Sequence, residues 1–330
     1  MTERENFFLA YNHKQPEWTP CFFSAYQPMG SSLLNNQGEM GKGGRDMFGV
    51  NWLVTQDTGY QAIPDPHEHI LEDITKWCDV VHFPDLDAMD WEAAAARDLA
   101  GVNREEKVLA FFGMEGNFNR LQSLMGICEA MIAMVEEPEE VYAFFKAHTE
   151  FKMKTIEKAA KYYKPDIYVN ADDICSSDGL FISRTMYNEL IKPFEIMLGQ
   201  KAVSEGMIVE HHVCGKAEEI IPDILETGAT IWQMAQTMNG TEMNDVAKMK
   251  ELYGDKLLIH GGWDSFGLHN YEDCTEEMVR AEVRRCIDTY GKNGNYALFP
   301  VVMGDMADER IQKRRFWVDD ECHKYRPWEK

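Results

Sequence analysis

Met207-Ile208-Val209-Glu210-His211-His212-Val213-Cys214-Gly215-Lys216 is an apolar, β-prone run that ends in two histidines, a cysteine and a glycine. Period-two alternation puts Glu210, His212 and Cys214 on one face of an extended segment. A helical pattern over 217–226 follows at once. The stretch therefore reads as a strand whose C-terminal end carries three proton carriers or metal ligands, just before the chain turns into a helix.

The same strand-then-helix unit recurs on either side. Strands are expected at 21–24, 109–114, 166–173, 230–234, 256–260 and 295–299. Helices are expected at 120–136, 138–163, 185–199, 244–253 and 275–290, with a charged, partly helical tail over 308–330. No tight hairpin joins two strands in the second half, which is the pattern of a parallel sheet. Strand ends carry His, Cys, acids and Trp more often than strand starts, as the catalytic face of a (β/α)8 TIM barrel does. An open doubly wound sheet is the rival, but neither GxGxxG nor GxxxxGK[ST] occurs. The expected fold is thus α/β, one barrel domain over 1–330, with a helical N-terminal extension at 1–20 and a loop-rich insertion at 27–60.

The chain has 330 residues, 45% hydrophobic and 27% charged, enough to bury a large core. Its net charge of −23 disfavours phosphate backbones and anionic lipid, so neither nucleic acid nor membrane is an expected partner. Eight scattered cysteines without a CxxC pair fit a reducing compartment. The N-terminus lacks a signal-peptide pattern, and no apolar run approaches the roughly 18–20 residues of a membrane helix. A cytoplasmic protein is expected.

His212 and Cys214 offer imidazole and thiolate to a borderline-soft cation such as zinc; Glu210 shares their face and His260 closes a later strand. A buried structural cysteine beside a hydrogen-bonded histidine would use the same residues. Asp172 and Asp173 end a strand, so one of them should enter the barrel mouth as a general acid or base, unless it caps the next helix. Glu115 ends another strand. Phe22, Tyr26, Trp52, Phe118, Trp232 and Trp263 gather at strand ends, where they either pack the core or line a pocket for a flat apolar substrate. His13, His148, His269 and His323 are expected to face solvent. No serine-triad order, nucleophile elbow or cysteine-protease signature stands out.

Taken together, several motifs resemble the uroporphyrinogen decarboxylase superfamily over nearly the whole chain. They are His212-Val213-Cys214-Gly215, Ile-Ile-Pro-Asp-Ile-Leu-Glu-Thr-Gly-Ala at 220–229, Gln236, Tyr253-Gly254-Asp255 and His260-Gly261-Gly262. Asp172-Asp173, Ile182-Ser183, Tyr187, Ile191-Lys192-Pro193-Phe194, Glu3-Arg4-Glu5-Asn6 and Phe48-Gly49-Val50-Asn51-Trp52 continue the likeness. The resemblance implies a (β/α)8 barrel. Porphyrinogen decarboxylases carry an arginine-bearing RQAGR motif that grips the substrate's carboxylates, whereas 22–30 here reads Phe-Phe-Ser-Ala-Tyr-Gln-Pro-Met-Gly. The H-x-C-G motif is instead similar to the corrinoid-dependent methyltransferase branch, in which the His and Cys bind zinc and a later Cys completes the set. That Cys would fall near 301–303, which here reads Val-Val-Met, so Glu210 or another residue would have to be the third ligand.

Lys216 and Trp263-Asp264 look most like the veratrol- or vanillate-type methyltransferases of anaerobic O-demethylation. The implied reaction moves a methyl group from a methoxylated aromatic to the Co(I) of a corrinoid. No D-x-H-x-x-G motif occurs here, so the corrinoid must come on a partner protein. The expected catalytic residues are Glu210, His212, Asp172 and Asp173. Tyr26, Phe118, Tyr187, Trp232, Trp263 and His260 are expected to bind substrate, and His212, Cys214 and Glu210 to bind Zn2+. A homodimer is compatible with this reading. The alternatives are a zinc-dependent methyltransferase acting on a thiol or amine, a decarboxylase of the same family, or a catalytically inert scaffold.

Overall fold

Among the described residues, ten short strands arise where β-prone runs meet turn residues, and they assort into two sheets. The computed structural model describes every residue but Met40, Glu272, Met303 and Lys330, so parts of the expected 27–60 loop and of 301–303 lie outside the described residues. β1 (Tyr26–Met29) is followed by a small antiparallel sheet of β2 (Gly44–Arg45), β3 (Asn51–Leu53) and β4 (Ile63–Pro64). Then come β5 (Val108–Glu115), β6 (Ile167–Ala171), β7 (Ile208–His212), β8 (Ala229–Thr237), β9 (Leu258–Asp264) and β10 (Tyr296–Ala297). The large sheet runs β1-β5-β6-β7-β8-β9-β10, every neighbouring pair parallel.

That sheet curls into a (β/α)8-type barrel and closes through a parallel bridge between Cys21 and Leu298. Phe22 N donates to Leu298 O at 2.9 Å, and Leu298 N to Pro20 O at 2.8 Å. The first strand expected at 21–24 is displaced. Ala25 N donates back to the Cys21 carbonyl (2.8 Å), winding Phe22–Ala25 into a helical turn, and β1 begins only at Tyr26.

Alternation along the strands separates two apolar cores. Val108, Ala110, Ile167, Val169, Ile231, Leu258 and Ala297 join Tyr26 inside the barrel. The first helix, Glu3–Tyr11, starts in a Thr2/Glu5 capping box and lies across the N-terminal opening. Its fully buried Phe7 meets the Tyr26 ring edge-on at 5.3 Å, Tyr11 Oη lies 2.9 Å from Thr230 Oγ1, and Arg4 pairs with Asp166 at the foot of β6. With that end plugged, access is from the C-terminal ends of the strands.

The helix expected over 120–136 is two helices, Asn117–Met125 and Ile127–Glu136. The break is Gly126 at φ +84°, where a Cβ would meet the His69 ring at 2.8 Å. The segment carrying β2–β4 is clamped to the rim by Arg120, which is fully buried. Its guanidinium donates to Asp46 (2.6 Å) and to the Asn36 side chain (2.7 Å) beneath the Phe48 ring, while Gln37 reaches Glu115 (3.1 Å).

Of the four histidines expected at the surface, only His13 is exposed. His148 is fully buried with Nδ1 2.8 Å from Asn117 Oδ1, His269 packs under Trp263, and His323 is held by Glu3 at 2.6 Å. All eight cysteines are free. Among the described residues, no helix is long and apolar enough to cross a membrane.

Candidate functional site

The register sets Glu210 beside Ile231, His212 beside Gln233, and Gln233 beside His260, so β7, β8 and β9 bring one polar layer into the barrel. Glu210 lies at its centre, fully buried. Gln233 Nε2 donates to Glu210 Oε1 at 2.5 Å, His260 Nδ1 lies 2.6 Å from the same oxygen, and the Tyr26 hydroxyl donates to Oε2 at 3.1 Å. A buried carboxylate that takes three donors is satisfied where it stands. Burial, then the Glu210 charge, pushes the Tyr26 hydroxyl well above its ordinary range, so it stays protonated as the donor.

Gln233 passes this order upward. Its NH2 is committed to the carboxylate, so its carbonyl faces His212 Nδ1 at 2.5 Å. His212 must then carry its proton on Nδ1, which leaves the Nε2 lone pair toward the mouth. Nε2 lies 3.7 Å from Cys214 Sγ and 3.8 Å from Asp173 Oδ1. Asp173 is held in turn: its Oδ1 accepts from Cys214 N at 2.8 Å, and its own N donates to Asn119 Oδ1 at 3.0 Å. Burial, then the neighbouring Asp173, raises the Cys214 thiol well above its usual range.

Asp173, His212 and Cys214 offer ligand atoms within 4.8 Å of one another, all half-buried. A tetrahedral zinc with bonds of roughly 2.0–2.3 Å separates its ligand atoms by roughly 3.3–3.8 Å, so the spacings of His212 Nε2 from Cys214 Sγ and from Asp173 Oδ1 fit. This trio differs from the expected one. Glu210 belongs to the layer below, its oxygens taken by Tyr26, Gln233 and His260, and Asp173 stands in its place. Its partner Asp172 turns away from the mouth and caps the helix Asn117–Met125, accepting from Phe118 N (3.0 Å) and Asn119 N (2.9 Å). Gly116 is required there, since a Cβ would fall 2.0 Å from Asp172 Cγ. Burial raises Asp172 to about 6 and Glu115, at the end of β5, to about 7.

The aromatic side chains also sort by face. Trp232 alternates with the inward Gln233 and is fully buried on the helix side of β8. Phe118 stacks on Phe181 (6.1 Å), and Tyr187 lies in the outer core under the Arg184 guanidinium. Trp263 packs edge-on against His269 and donates to Asn270 (2.9 Å). Tyr26 and His260 stay inside as the base of the site. The ring that faces His212 is Phe299, which the motifs passed over, as they did Phe112; Phe22, noted among the strand-end aromatics, joins them in one row. Phe299 lies 6.5 Å from His212, 5.2 Å from His260 and 4.5 Å from Phe22, and Phe112 completes the row 6.5 Å from Phe22. Phe22, Phe112 and Phe299 are each only partly buried. Period two counted from Ala110 and Ala297 marks Phe112 and Phe299 as inward-facing, a signal the strand-end survey did not use.

Fold and site together define a barrel protein with a His-Cys-Asp cluster at the C-terminal ends of its strands. The uroporphyrinogen decarboxylase (URO-D) family model matches residues 48–300, and the chain belongs to that family. No curated protein matches the sequence. Among solved structures, a methyltransferase from Methanosarcina mazei is similar over 97% of this chain and 99% of its own, with TM-score 0.65 and 14% identity. An AP endonuclease, family 2, from Brucella melitensis overlaps 71% of this chain and 85% of its own, with TM-score 0.42 and 11% identity. At these identities the likeness is one of fold.

Proposed function

We propose that this protein is a methyltransferase that takes the methyl group of a methoxylated aromatic and delivers it to the Co(I) of a corrinoid carried by a partner protein. One observation carries the proposal: His212 Nε2, Cys214 and Asp173 converge beside a row of half-open phenyl rings at the accessible end of the barrel. As the methyl–oxygen bond breaks, the aryl oxygen gathers charge, and phenolate is a poor leaving group. A proton or a Lewis acid placed at that oxygen lowers the barrier. Phe22, Phe112 and Phe299 would pack the ring and exclude water; in the metal-free site His212 protonated at Nε2, with the Asp173 carboxylate beside it, would give the departing aryl oxygen its proton. Asp173, His212 and Cys214 would hold a Zn2+ ion, whose contribution when bound is to polarise the ether oxygen. Overall fold similarity to a methyltransferase supports the reading.

The test is methyl transfer to Co(I) cobalamin from a panel of methoxylated aromatics, with the freed phenol quantified. Turnover with at least one donor, lost in His212→Ala, is expected; no turnover across the panel overturns the proposal. The metal-capable trio equally favours a zinc-dependent transferase acting on a thiol or amine. That reading is separated by offering the same acceptor methylated thiols and amines. In either case metal analysis of protein purified without chelator should give about one zinc per chain, lost in Cys214→Ser and reduced in Asp173→Asn.

A further inference from the structure

A second pocket opens among the loops that follow β3, β9 and β10, apart from the His-Cys-Asp cluster. It encloses about 160 Å³, and its walls include Gln56, Tyr60, Asn270, Asp305, Asp308 and Arg314. At about 30 Å³ per water, that is room for roughly five waters, or for one compact polar group.

Arg314 is what makes this pocket unusual. It is 4% exposed, yet among the described residues its guanidinium makes one hydrogen bond, from Nη1 to the Asn270 carbonyl at 3.3 Å. Among the described residues, no carboxylate lies within ion-pair distance of it. A guanidinium offers five N–H donors and stays charged; no Arg314 nitrogen is sealed off without a partner, so its remaining donors open onto the pocket, where water or a ligand answers them. The two acids in the wall do not. Asp308 caps its helix through Arg310 N (2.8 Å) and pairs with the Arg310 guanidinium, and Asp305 accepts from Ala307 N (2.8 Å). Asp305 keeps a second carboxylate oxygen in the wall and Asp308 feels the Arg314 charge, so what the pocket offers an incoming acceptor is the rest of the Arg314 fork, with the Gln56 amide and the Tyr60 hydroxyl at the rim.

We propose that this pocket is a binding subsite for a small oxyanionic group, a carboxylate or a phosphate, gripped by the Arg314 guanidinium. The planar fork of arginine matches two oxygens of either group, which a lysine cannot reproduce. The two sources of that chemistry are a carboxylate attached to an aromatic ligand and a free inorganic oxyanion.

Calorimetric titration of the full chain with benzoate and with inorganic phosphate, at constant ionic strength, tests the subsite and tells the sources apart. Saturable one-to-one binding of at least one probe is expected. Preference for benzoate identifies an aromatic carboxylate, and preference for phosphate a free oxyanion. Arg314→Gln should weaken binding at least tenfold, as loss of a charge-assisted bond does. Gln56→Ala, at the exposed rim, should weaken it less. No saturable binding of either probe, or equal affinity in Arg314→Gln, overturns the proposal. If Arg314→Gln fails to fold, Arg314→Lys and Gln56→Ala decide, and unchanged affinity in both overturns it. Because the titration involves no turnover, its outcome stands apart from that of the methyl-transfer assay.

Discussion

Gln233 joins the two layers of the site: it donates to Glu210 below and accepts from His212 above. Replacing it with leucine should release His212 from its single tautomer. The 15N imidazole shifts of His212 should report an Nδ1–H form in the wild type and a mixture in Gln233→Leu. Since outer partners of a ligating histidine are worth 10–100-fold in metal affinity, zinc affinity measured against a chelator should fall by about that factor. His212 and Cys214 were legible in the sequence because H-x-C places both donors on one face of a strand. The Asp172-Asp173 pair was legible as a pair. Strand parity then separates the two, because Ala171 pairs with His212 and the inward face continues to Asp173. Gln233 gave no signal, since an amide has no chemistry of its own until a carboxylate and an imidazole flank it. Trp232 misled for a related reason: a tryptophan near a strand end is conspicuous whichever face it takes.

At the scale of elements, the first helix and the last, Glu309–Lys324, are tied by His323. Nε2 meets Glu3 at 2.6 Å, Nδ1 meets the Asp319 carbonyl at 2.8 Å, and the ring stacks on Trp18 at 5.1 Å. The hydrogen bond to Glu3, followed by that to the Asp319 backbone, raises the His323 pKa to about 9 against burial. A folded pKa above the unfolded value of about 6.5 means the stabilisation is complete below pH 6.5 and is lost as pH rises through 9. With about a third of the side chain exposed (32%), solvent screening leaves about 1 kcal/mol at stake. The unfolding free energy from urea titrations should fall by that amount between pH 6 and pH 9.5 in the wild type, and His323→Gln should flatten this part of the profile. The alternation of strands and helices was readable from periodicity. The break at Gly126 was not, because apolar residues continue in helical spacing across it and only the close approach of His69 demands a glycine. The first strand was misplaced because Phe22-Phe23 is β-prone locally, while the seam at Leu298 decides where the chain bends.

For the whole molecule, the barrel rests on its plug. Phe7 is fully buried against Tyr26 and the inner core, so Phe7→Ala should cost about 3–5 kcal/mol in urea denaturation. Because Tyr26 also donates to Glu210, the same substitution should disturb the base of the site, seen as a weakened His212 tautomer preference. The barrel class could be read from the order of elements. The plug and the seam could not, since each joins residues far apart in the chain and leaves no periodic trace.

The seam has a consequence for how the protein is made. The Cys21–Leu298 bridge and the Glu3–His323 pair cannot form until residues 298 and 323 have left the ribosome. Until then β1 presents an unpaired edge and the amphipathic first helix has only part of its floor to cover. Such late, non-local closure slows folding and leaves nascent chains open to edge-to-edge association. Pairing across the seam is thus what hides both edges of the sheet, and it does so in a single late step.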